Sequence, residues 1–208
     1  MKKITLVLLA ALLLSAVGCS ASKSAAVKPL EDTLTVSESL PDGTYAASFQ
    51  ASDLKNSADG WSLTVTLADY DRFSPDVIRA LKEGDSLEVC GKTVVISSVS
   101  IGEDYVEING GYEKGGVSLS LEDDHYRTIV SDGYPLYSEV GTVTLPISEA
   151  FLCSDQKGSD PSAPPQLTGI DELPGSLSPA SGSTWDFHDT RLNVAGGEIV
   201  MIYRFWTP

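Results

Sequence analysis

Apolar and polar side chains alternate along this chain in short runs. Trp61, Leu63, Val65 and Leu67 are interleaved with Ser62, Thr64 and Thr66, the period-two pattern of a strand with one buried face. Val117, Leu119 and Leu121 alternate with Ser118 and Ser120 in the same way. Strand-like runs also cover residues 43–49, 85–89, 93–101, 105–108, 126–130 and 137–145. Asp42-Gly43, Asp59-Gly60, Asn109-Gly110 and Asp132-Gly133 supply residues that tolerate tight reversals between them. Near the end, residues 192–195 and 198–205 flank Gly196-Gly197 and predict a hairpin.

One helix stands out. Ser74 suits the N-cap, Pro75 the first helical position and Asp76 the positive end of the dipole; Val77, Ile78 and Leu81 can face a core, and Gly84 can take a left-handed closing position. A second candidate over residues 169–173 is interrupted by Pro174. Many short strands with frequent turns predict a mainly β fold, an antiparallel small barrel or sandwich with one short helix and a C-terminal β-hairpin. The turn Leu81-Lys82-Glu83-Gly84-Asp85 also resembles turns that launch strands in small β-barrel folds.

The first residues have another character. Met1-Lys2-Lys3 precedes an apolar run from Ile4 to Val17, broken only by Thr5 and Ser15. A positive start and a greasy segment well short of the roughly 20 residues of a spanning helix read as a signal peptide. Leu14-Ser15-Ala16-Val17-Gly18-Cys19 resembles the lipobox of bacterial lipoproteins, in which small residues precede a cysteine that is lipidated and becomes N-terminal. The family usually has Leu three residues before the cysteine, where this chain has Ala16, and Ala16-Val17-Gly18 also fits ordinary signal peptidase. The resemblance implies lipidation of Cys19 and a protein held at the outer side of a membrane, since several acyl chains anchor stably where one is marginal. The Gly43-Thr44-Tyr45 opening and the Gly197-Glu198-Ile199 closing strand are similar to those of some bacterial lipoproteins, a likeness that implies no activity.

The expected organisation is therefore a signal peptide over 1–18, a lipidated N-terminus and flexible Ser/Ala/Thr-rich stalk over 19–42, and a β domain over 43–156. A linker over 157–168 follows, then a C-terminal hairpin segment over 169–208 docked on the domain.

Charge narrows the function. There are 14 Lys and Arg against 29 Asp and Glu, a net charge of −15, and loss of Lys2 and Lys3 with the leader takes this to −17. A chain this acidic is repelled by phosphate backbones, which excludes nucleic acid as a partner. Once Cys19 is used, Cys90 and Cys153 leave one possible intramolecular disulfide, and neither position points to a staple.

No motif assembles a catalytic, metal or cofactor site. Gly91-Lys92-Thr93 lacks the upstream glycine of a phosphate loop, and Ser20-Ala21-Ser22-Lys23 lies in the stalk. Asp69 and Asp71 begin like a calcium loop that Phe73 interrupts, and Glu122-Asp123-Asp124-His125 reads as a solvated loop. The histidines are His125 and His188; His188 beside Asp189 permits a triad, although exposed polar residues at strand ends are the simpler reading. Aromatic residues on loops remain as ligand-binding candidates: Tyr112, Tyr134 and Tyr137, the last two stiffened by Pro135. The expectation is a non-catalytic binding module for an envelope protein or glycan; the alternatives are a structural or assembly lipoprotein, or a hydrolase with a dispersed active site.

Overall fold

The alternation around Leu63 and Leu67 becomes the wall of a closed barrel. A computed structural model describes residues 25–30, 34, 36, 39–156, 164–177 and 185–205; the segment expected to be a signal peptide, Cys19 and residues 157–163 of the expected linker lie outside them. Strands β1 (Gly43–Ser48), β2 (Leu54–Ser57), β3 (Gly60–Tyr70) and β4 (Arg72–Phe73) lead to helix α1 (Pro75–Arg79). There follow β5 (Ser86–Val89), β6 (Lys92–Val95), β7 (Val99–Ile101), β8 (Tyr105–Ile108), β9 (Val117–Glu122) and β10 (His125–Ile129). The long β11 (Tyr137–Asp155), β12 (Leu167–Thr168), α2 (Leu173–Ser176), β13 (Thr190–Ala195) and β14 (Glu198–Arg204) complete the described strands and α-helices.

Strands β11, β14, β13, β1 and β3 pair in that order, and β3 pairs back with β11, so five strands close a barrel. Closure removes free sheet edges and decides between the barrel and sandwich expected from the strand pattern. All its pairs are antiparallel except β11 with β14. Leu63, Val65 and Leu67 of β3 meet Val143 and Leu145 of β11, Leu192 and Val194 of β13, and Ile199 and Ile202 of β14 inside. On the outer face the same register sets Thr64 Oγ1 2.8 Å from Thr144 Oγ1 and Thr66 Oγ1 3.3 Å from Thr142 Oγ1. Cross-strand threonine pairs of this kind reinforce the ladder that positions Tyr70 and Tyr137 at its end.

Residues 71–136 form an insertion at the tip of the β3–β11 hairpin. Its sheet runs β4-β10-β9-β8-β7, beside the β5–β6 hairpin and α1, around a second core that includes Phe73, Ile78, Leu87, Ile108, Leu119 and Tyr126. The chain leaves the barrel through Asp71 and returns through Leu136. Both are tied to Thr128 of β10, whose N–H donates to Asp71 O at 3.1 Å and whose carbonyl accepts from Leu136 N–H at 2.9 Å.

Several elements depart from expectation, each for a local reason. The helix closes at Ala80 rather than Gly84, Ser74 makes no side-chain cap, and Val77 is exposed while Ile78 and Leu81 are buried. A single turn can bury only one stripe, so Val77 falls on its solvent side. Gly84 does take a positive φ of +92°, but in the turn that launches β5, where its N–H donates to Ile96 O at 2.9 Å. The run 93–101 is broken between β6 and β7 because the Asn109 side chain accepts from Ser97 and Ser98 N–H and donates to Val95 O, taking over backbone partners. Pro174 does not end a helix; it sits in the first turn of α2, where its missing N–H costs nothing.

The segment expected to be a flexible stalk is held on the body in its described residues. Val27 N–H donates to Ser86 O and Glu88 N–H to Val27 O, both at 2.8 Å, while Leu34 and Val36 pack on the barrel core and Leu40 is buried in it. Alternate apolar residues in that stretch therefore find partners that composition alone does not reveal. The C-terminal hairpin supplies two of the five barrel strands. Cys90 packs against the insertion core and Cys153 lies in the barrel core, and both are free thiols.

Candidate functional site

Where the two connecting strands cross from barrel to insertion, their side chains face a cleft of about 620 Å³. Tyr70 ends β3 and Tyr137 begins β11, and the ladder register places them opposite one another. Their ring centroids are 5.7 Å apart with planes at 72°, an edge-to-face contact. The guanidinium of Arg72 lies 4.1 Å over the Tyr70 ring and is forked onto Asp69, with Nη2 3.1 Å from Oδ1 and Nη1 3.2 Å from Oδ2. Burial opposes the charge on Arg72, but the hydrogen bonds and charge of Asp69 outweigh it and hold the guanidinium above its ordinary pKa.

Arg191 enters from β13. Its Nη1 donates to Phe187 O at 2.8 Å and Thr190 O at 2.9 Å, and its Nη2 donates to the Tyr137 hydroxyl oxygen at 2.6 Å. The guanidinium stands 5.3 Å from the Tyr137 ring centroid and 5.1 Å from that of Phe205. Burial pushes the Tyr137 phenol above its usual pKa, against the pull of Arg191, so the hydroxyl keeps its proton at neutral pH.

The insertion contributes the β9–β10 turn. His125 Nδ1 is 3.2 Å from Asp124 Oδ1 and Nε2 is 3.9 Å from Glu122 Oε2, and Nε2 is buried without a hydrogen-bond partner among the described residues. Asp124 and His125 line the same cleft as Arg72, Tyr137 and Arg191. Arg127 is set back from it, its Nε 3.3 Å from Glu122 Oε2.

Of the aromatic residues expected to bind a ligand, Tyr137 is in this cleft, while Tyr112 and Tyr134 do not line it. Those two lie at the opposite end of the insertion sheet, Tyr112 in the β8–β9 turn and Tyr134 after β10, both with exposed rings. His188 Nδ1 is 2.5 Å from Asp186 Oδ1 rather than paired with Asp189, which is buried and accepts from Thr190 Oγ1 at 2.9 Å. The triad arrangement of His188 with Asp189 is therefore not formed. Among the described residues no group of three or more His, Cys, Asp or Glu side chains is gathered to hold a metal.

Sequence reasoning passed over Tyr70, Arg72, Arg191 and the cleft-lining role of His125. A signal was present: the chain has only five arginines, and Arg72, Arg127 and Arg191 all lie within 6 Å of the Tyr70 or Tyr137 ring. On the other side of the crossing, Asp71 is 7% exposed and its Oδ2 accepts from Cys90 N–H at 2.6 Å. Burial pushes that carboxyl upward, the Cys90 bond opposes the shift, and the charges of Asp69 and Glu88 add to it.

No family model matches the chain, and neither a curated protein nor a solved structure matches it.

Proposed function

We propose that this chain is a non-catalytic binding module of the bacterial cell envelope, displayed on the outer side of a membrane by lipid on Cys19, and that the barrel–insertion cleft holds its ligand. The observation that carries the reading is the lining of the cleft. Its ionisable side chains are engaged with one another, Arg72 with Asp69 and His125 with Asp124, while Arg191 is buttressed by the Tyr137 hydroxyl. Side chains fixed in this way are preorganised donors that lose little entropy when a ligand arrives, which favours recognition. Basic and aromatic groups in an otherwise acidic protein also give the cleft a character distinct from the surrounding surface.

The lipobox-like segment before Cys19 supports the location, and an acidic exterior suits a domain that stays soluble at a membrane surface. Cell fractionation of the full precursor and of Cys19→Ala tests the anchor. The wild type is expected in the membrane fraction, carrying lipid, and the variant is expected to leave it. A processed Cys19→Ala protein that stays with the membrane contradicts the anchor. For the binding role, the mature protein is expected to co-sediment with isolated envelope material, and an Arg191→Ala variant of equal stability is expected to bind it less.

A further inference from the structure

The Arg191–Tyr137 pair is an incomplete hydrogen-bond network. Nη1 of Arg191 has both protons committed to carbonyl oxygens, and one Nη2 proton goes to Tyr137. That leaves the second Nη2 proton and the Nε–H, neither bonded within the described residues. The Tyr137 oxygen accepts from Arg191, and its own proton has no acceptor among the described residues. Every hydrogen-bond partner of Arg191 among the described residues is neutral. Its partners are two carbonyls and a phenol, and among the described residues no carboxylate pairs with it, whereas Arg72, Arg127 and Arg204 each have one. A half-buried guanidinium with only neutral partners, next to a hydroxyl with a spare proton, is a set of donors awaiting an acceptor that carries negative charge.

We infer that the cleft binds a small organic carboxylate, whose two oxygens are held by the spare N–H groups of Arg191 and the hydroxyl proton of Tyr137. Guanidinium geometry matches a planar carboxylate two bonds at a time. The charge count selects this class over a phosphate. One uncompensated cation balances one negative charge, and Asp69 and Asp124 in the lining repel a more highly charged anion. A cleft of about 620 Å³ is of the size that holds a small molecule or one unit of a chain. This inference rests on the cleft being the binding site and adds the chemical class of its ligand.

Calorimetric titration of the full mature protein tests it with four organic probes and one inorganic anion. Sodium glucuronate and glucose differ in one carboxylate, as do N-acetylglycine and N-acetylglycinamide; the first pair represents a sugar acid and the second a peptide terminus. At least one carboxylate is expected to bind about tenfold or more tightly than its neutral counterpart, and tighter than inorganic phosphate. Whichever carboxylate wins identifies the source. Tyr137→Phe, which keeps the ring, and Arg191→Lys, which keeps the charge but loses the fork, are each expected to weaken that binding about tenfold. Equal binding of both carboxylates and their neutral counterparts overturns the inference, as does tighter binding of phosphate. Unchanged carboxylate binding in a folded Tyr137→Phe protein overturns it as well. Retention of the protein on envelope material despite such a failure would leave the binding-module reading standing and remove only the carboxylate.

Discussion

Tyr70 and Tyr137 face one another across the last rung of the β3–β11 ladder, and each ring carries a guanidinium, Arg72 at 4.1 Å and Arg191 at 5.3 Å. The pair stands where two strands leave the barrel, and both residues line the cleft. If the cleft holds a ligand as proposed, changes to these rings alter its binding and the packing of the junction together.

Tyr137→Ala is therefore expected to destabilise the protein by about 2 kcal/mol, because a half-buried ring loses its packing and its bond to Arg191. Tyr134→Ala, which removes an exposed ring, is expected to change stability by less than about 0.5 kcal/mol. Chemical denaturation of the two single variants checks the contrast. Equal effects would mean that Tyr137 is not packed at the junction.

Gly84→Val is expected to cost about 1–2 kcal/mol. The space beside Gly84 is open, so the cost comes from the backbone at φ +92° and not from a clash. An unchanged melting temperature would show that the turn before β5 relaxes without penalty.

Asp71 predicts a pH dependence. Its carboxyl is raised in the folded protein, chiefly by burial, so the folded state binds that proton more tightly than the unfolded chain does. The resulting stabilisation is present below the unfolded value of about 4 and is lost as pH rises through the folded value. At neutral pH the ionised group therefore costs stability. Asp71→Asn keeps an acceptor for Cys90 N–H and removes the charge, so its advantage over wild type is expected at pH 7 and should shrink toward pH 4. An advantage that grows on acidification would contradict the assignment.

The two thiols should be separable. Burial, with the Asp155 charge adding to it, pushes Cys153 up to about 12, and burial with Asp71 also raises Cys90. Neither supplies thiolate readily at neutral pH. Mass spectrometry after alkylation of the native protein is expected to find Cys90 modified slowly, Cys153 protected until unfolding, and no bridge between them.

The barrel was legible wherever one face is buried and the other wet. The run 61–67 and the Gly196-Gly197 hairpin each carry a periodic or turn signal, and each forms. The closure of β3 onto β11 was not legible, since residues 71–136 separate the partners and alternation does not encode which strands pair. Tyr137 was recognisable as a stiff aromatic residue after Pro135, but its partners Tyr70 and Arg191 lie 67 and 54 positions away in sequence. A site made by long-range pairing leaves only a compositional trace, here the scarcity of arginine in an acidic chain.

The proposal that this protein binds its ligand at the barrel–insertion cleft turns on Arg191. Its most direct test compares binding of the mature wild-type protein and of Arg191→Ala to isolated envelope material, with the two matched for melting temperature. Arg191→Ala is expected to lose most of its binding while a distant Tyr112→Ala control retains it. Full binding by a folded Arg191→Ala protein would contradict the claim.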